Sequence, residues 1–161
     1  EKLWEEVKSL REETRKLWRG QDKLREGQEK LRASMIYGFG ELSRFAGMSF
    51  EEFVRKFMSE YLRSGKVIPE GKELRRELVE GEEIDMFFED PLIVGEVTAS
   101  LDSEEELDKL LRKAGAVMKV YGRRPRAMYL VALTAKKDVH RSVSKRAKEA
   151  GVEIIAGKLV D

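Results

Sequence analysis

The stretch Ile84-Asp85-Met86-Phe87-Phe88-Glu89-Asp90-Pro91-Leu92-Ile93-Val94-Gly95-Glu96-Val97-Thr98 carries the reading of this chain. Ile84–Phe88 and Leu92–Thr98 are apolar runs of strand length, and Glu89-Asp90-Pro91 between them is a turn signal, so an antiparallel hairpin is expected. Each strand holds one acid among apolar neighbours: Asp85 between Ile84 and Met86, and Glu96 between Gly95 and Val97. A carboxylate taken out of water is costly unless something pairs with it, so both positions demand a cause. If Glu89 and Asp90 form a two-residue turn, Asp85 faces Val94, and Glu96 lies diagonally from Asp85 on the same face of the sheet. A cation or a proton must then relieve their repulsion. A hard divalent ion such as Mg²⁺, which takes carboxylates together with waters and phosphate oxygens, would do so. An Arg or Lys from a neighbouring element, or an edge position facing water, would do so equally, and these residues alone leave all three open.

Outward from the hairpin the apolar spacing alternates between helix and strand. Before it, Ser49 and Glu52 fit a capping box, and Phe50, Phe53, Val54, Phe57, Met58, Tyr61 and Leu62 form one helical face that stops at Gly65. Residues 66–81 are ambiguous; Val67 and Ile68 read as strand, and Leu74 and Leu78 fit either state. After the hairpin, Ser103 and Glu106 form a second capping box. They open a helix with Leu107, Leu110, Leu111, Ala114, Val117 and Tyr121 on one side, closed by Gly122. Ala127–Leu133 is a strand, a basic helix runs from about Ala135 to Ala150, and Val152–Ala156 is a last strand. The expected fold class is therefore α/β, with a mixed sheet flanked by helices.

The first 46 residues follow a different rule. Leu3, Leu10, Leu17, Leu24 and Leu31 recur every seven residues, with Val7, Thr14, Gln21, Gln28 and Met35 in the other seam position. Leu at d and mostly polar residues at a make a long coiled-coil helix, over residues 1–46, the expected first domain. Residues 49–161 are the second. So narrow a seam has nothing to bury against except another helix, which predicts self-association, as a dimer; the alternative is a long helix folded back on its own domain. Trp4 and Trp18 lie beside the seam and read as packing residues.

Composition removes several classes. With no Cys there is no disulfide, thiolate metal site or Cys nucleophile, and one His (His140, read as a surface residue) rules out a His-rich metal centre. No apolar run has membrane-spanning length. The chain carries 32 basic and 31 acidic residues, no Asn and two Gln. That pattern suits a thermophilic source and a cytoplasmic location. Its net charge of +1 argues against a uniformly basic nucleic-acid binder. Basic residues do cluster late, in Arg123-Arg124-Pro125-Arg126 and along the last helix, where Arg123, Arg124 and Arg126 are candidate phosphate contacts.

Glu51 on a helix, Glu83-Ile84-Asp85, and Gly95-Glu96-Val97-Thr98 together resemble the PD-(D/E)XK nuclease superfamily. The likeness spans about Ser49 to Ala156, includes the order of elements, and is greatest to archaeal members that carry a coiled-coil arm. It implies a restriction-endonuclease-like fold, hydrolysis of DNA phosphodiesters, and Mg²⁺ or Mn²⁺ as cofactor. It implies that Asp85 and Glu96 are metal ligands with the carbonyl of Val97 as a third, and that an acid on the first helix, Glu51, assists. The family's lysine, two positions after the second acid, is Thr98 here, which cannot supply a positive charge. Lys113, a quarter-turn off the apolar face of its helix, is the candidate replacement; Lys109 and Lys119 point further outward. Without a replacement, the resemblance implies a catalytically degenerate fold that binds DNA or protein.

Overall fold

The structure, a computed structural model, describes residues 2–161, without the side chains of Leu3, Trp4, Trp18, Gln21, Asp22 and Arg44. The expected packing roles of the two tryptophans thus lie outside the described residues. The elements are α1 (Lys2–Phe45), α2 (Phe50–Ser64), β1 (Arg75–Val79), β2 (Glu82–Phe88), β3 (Ile93–Leu101), α3 (Glu105–Tyr121), β4 (Ala127–Lys136), α4 (Lys137–Ala150) and β5 (Val152–Val160). Two compact units result, Glu1–Arg32 and Ala33–Asp161. Among the described residues no helix is long and apolar enough to cross a membrane.

In the first unit, helix α1 leaves the heptad leucines exposed: Leu10, Leu17, Leu24 and Leu31 each keep more than half of their surface. The second unit takes in the last turns of α1, because Ile36 is fully buried in its core. The expected arm of residues 1–46 therefore gives its end to the globular unit.

That unit is one five-stranded sheet in the order β1-β2-β3-β4-β5. Its first three strands form an antiparallel meander, while β3-β4 and β4-β5 are parallel pairs, each joined through a helix. Alternation along the strands divides the core in two. On one face Val54, Met58 and Leu62 of α2 pack with Met86, Ile93, Val131 and Ile155. On the other, Leu107, Leu110 and Val117 of α3 and Val143 and Ala147 of α4 pack with Val94, Leu130 and Ala132. Each fully buried Leu or Val contributes roughly 1.5–3 kcal/mol.

Local signals act as their chemistry requires. Ser49 caps α2, accepting the Glu52 N–H at 3.1 Å. Gly122 and Gly151 end α3 and α4 in the left-handed conformation that a side chain disfavours. Three expectations are corrected. Val67 and Ile68 lie in a turn rather than a strand, and the strand of this region is β1. The second capping box does not form: α3 begins at Glu105, one residue too late for Ser103 to be its cap, and the Ser103 hydroxyl accepts the Glu105 N–H instead. The hairpin turn takes four residues, 89–92, rather than two, so Phe88 pairs with Ile93 and Phe87 with Val94. Asp85 is therefore not opposite Val94. The register has moved by two, which brings Asp85 level with Glu96.

Candidate active site

The β2–β3 ladder runs from Phe88↔Ile93 to Met86↔Gly95 and stops at the two acids. Beyond that point side chains replace the missing main-chain bonds. Glu96 Oε2 accepts the Asp85 N–H at 3.0 Å, and Asp85 Oδ2 accepts the Val97 N–H at 2.9 Å. The cause is an extra residue in β2. Between β1 and β2, Arg75↔Phe87 and Glu77↔Ile84 put two steps of one strand against three of the other. Ile84 and Met86, two apart, accordingly enter opposite core layers. A bulge at this place redirects a side chain and ends pairing, which frees both acids for the gap between the strands.

Glu96 sits on the α3 side of the sheet, and there it meets Lys113. The Lys113 Nζ lies 2.5 Å from Glu96 Oε1 and also donates to the Glu83 carbonyl. The side chains of Lys113 and Glu96 keep only 11% and 4% of their surface. Helical spacing explains the reach: Leu110, Ala114 and Val117 anchor α3 on the sheet, and Lys113 projects from the flank of that buried face. Lys109, half-buried, pairs with Glu106, and the exposed Lys119 pairs with Glu80.

The Asp85 carboxyl is pushed up to about 7 from its ordinary 3.8. Burial is the main cause; the Val97 N–H pulls it down, the charges of Glu96 and Glu51 raise it, and Lys113 lowers it. Glu51, on the first turn of α2, is part of this electrostatic surrounding. Its Oε1 is 3.0 Å from Arg55 Nη1 and 3.2 Å from Arg76 Nε. Arg55 also donates to the Asp85 carbonyl at 3.0 Å, and Arg76 pairs with Glu83. Arg55 and Arg76 escaped the sequence reading. The Glu51-to-Arg55 spacing of four on a helix was a usable signal for the first; for Arg76 there was none, since only strand pairing brings it near. Glu52, the other acid of that turn, pairs with Lys56 in solvent.

Other expected residues stand apart. The Thr98 hydroxyl donates to the Ser100 carbonyl at 3.1 Å and takes no part in the acid pair. Arg123, Arg124 and Arg126 are exposed at the hairpin-turn end of the sheet. Arg123 donates to the Glu89 carbonyl, and the Arg126 N–H bonds the Leu92 carbonyl. Three strand residues separate that turn from each acid, about 13 Å along the sheet. His140, expected on the surface, is half-buried, and burial lowers its pKa.

Among the described residues no three His, Cys, Asp or Glu side chains converge closely enough to hold a metal ion by themselves. The donors that meet here are the carboxylates of Asp85 and Glu96, hard oxygens suited to a divalent ion that keeps several waters, and the main chain of Val97 adjoins them through its N–H. Two neighbouring carboxylates, one already raised in pKa, are also the arrangement whose repulsion a cation relieves. No family model, curated protein or solved structure matches the sequence.

Proposed function

We propose that this chain is a divalent-metal-dependent nuclease with a restriction-endonuclease-like fold, hydrolysing DNA phosphodiesters and self-associating through its helical arm. The single observation that supports it most is the meeting of Asp85, Glu96 and Lys113 at the place where β2 and β3 part. In this reading Asp85, Glu96 and the Val97 carbonyl hold Mg²⁺ or Mn²⁺. Such an ion, when bound, makes a water more acidic and offsets charge at phosphorus.

The protein's own groups supply the rest. Lys113 takes the position of the missing lysine from a different element, and its ammonium orients the attacking water and stabilises the developing negative charge. Glu51, held by Arg55 and Arg76, keeps a further negative charge near Asp85 and favours the cation. Arg123, Arg124 and Arg126 contact the phosphate backbone away from the reacting bond.

A second reading rests on Thr98. With no lysine on β3, and with Lys113 tied to Glu96, the fold acts as a catalytically degenerate module that binds DNA or protein. Titration of Mg²⁺ and Mn²⁺ by calorimetry, with cleavage of plasmid and branched DNA, separates the two. The nuclease reading expects binding and cleavage in the wild type, lost in Asp85→Ala and in Glu96→Ala. DNA binding with neither metal uptake nor cleavage selects the second.

A further inference from the structure

The exposed leucine seam of α1 contains polar layers whose chemistry specifies how two arms pair. We infer that two copies of this chain join through residues 3–35 as a parallel, in-register, two-stranded coil; this rests on the self-association proposed above and goes further by fixing its direction.

The first argument is hydrogen-bonding. In a parallel, in-register pair each seam residue meets its own counterpart, so Leu10, Leu17, Leu24 and Leu31 each meet Leu, while Gln28 meets Gln28. A side-chain amide has both donors and an acceptor, so two facing glutamines satisfy each other across the seam. In a fully overlapped antiparallel pair, a layers face d layers instead. Gln28 then lies against Leu10, and its buried amide faces a hydrocarbon that cannot bond it.

Charge points the same way. Flanking positions of a parallel pair bring Glu6 of one arm to Arg11 of the other, an attractive contact. The antiparallel overlap places Arg11 against Arg25.

The chain has no cysteine, which makes a clean test possible. Full-length Leu10→Cys is oxidised mildly alone, and also after mixing with full-length Gln28→Cys, with sedimentation giving the mass before oxidation. A dimer by mass, with Leu10→Cys alone converting mostly to a linked dimer, is the expected result. A dimer in which Leu10→Cys links only to Gln28→Cys overturns the direction and leaves self-association intact. A dimer with neither linkage overturns the seam as the interface, and a monomer overturns both statements. Leu31→Cys, near the other end, gives a second reading of direction should Leu10→Cys fold poorly.

Discussion

Glu96 accepts the main-chain N–H of Asp85, and Asp85 accepts the N–H of Val97, the residue after Glu96. The two acids thus exchange bonds across a gap that the strand ladder leaves open. Each carboxylate is positioned by the backbone of the opposite strand, so a change at one is felt at the other.

The Lys113–Glu96 pair should be strongly coupled. Lys113→Met leaves a buried Glu96 without its cation, which should cost about 3–5 kcal/mol in urea unfolding. Glu96→Gln in the Lys113→Met background should recover most of that loss. Equal stability of the single and double variants would show that the pair contributes no coupling.

Catalytic dependence should separate Lys113 from its neighbours. Lys113→Ala is expected to lower single-turnover cleavage by about 10²–10³-fold, the range for losing a group that stabilises transition-state charge. Lys109→Ala should leave the rate within twofold (roughly 0.4 kcal/mol). Comparable losses in both variants would remove the assignment of Lys113.

The raised Asp85 pKa sets a direction with pH. The folded state holds this proton up to about 7, whereas the unfolded chain releases it near 3.8. Asp85 therefore contributes stability that is complete below 3.8 and lost as pH rises through about 7. Thermal unfolding should show Asp85→Asn more stable than wild type at pH 8 and equal to it near pH 3. Because a divalent ion competes with the same proton, wild-type metal affinity should rise as pH climbs from 6 to 8. A difference between the two proteins that stays constant from pH 3 to pH 8 would contradict the assignment.

Two glycines should respond differently to Ala. At Gly157 a Cβ would meet the Leu133 carbonyl oxygen at 2.6 Å and the Tyr37 Cα at 3.1 Å, both backbone. Gly157→Ala is expected to cost about 1–3 kcal/mol, the range for overpacking. At Gly95 the tightest neighbour is the Met86 Cε, also 2.6 Å away, but at the end of a flexible side chain. Gly95→Ala should therefore cost less, and urea unfolding of the two variants gives the order.

Much of this was legible locally. The apolar faces of α2 and α3, the glycines that end them and the antiparallel β2–β3 hairpin are periodic or short-range features, and each can be read within a few residues. Asp85 and Glu96 stood out because a charged group in an apolar strand conflicts with its surroundings. The Ser103 box was a false signal, since the same spacing is satisfied one turn position away from the real helix start.

The residues thus determined the elements, the two acids and their common place in the hairpin. Tertiary structure decided which atoms meet. Register depends on the length of the turn, and a four-residue turn moved Asp85 from Val94 to Glu96. The bulge in β2 is a property of its pairing with β1, and it ends the ladder where the acids can fill the gap. Lys113 reaches Glu96 across seventeen residues of chain because α3 docks on the sheet with one flank over β3. Spacing along the chain carries local periodicity, whereas contacts between distant residues are set by how whole faces pack, and a charge as buried as Glu96 holds only where that packing delivers a partner.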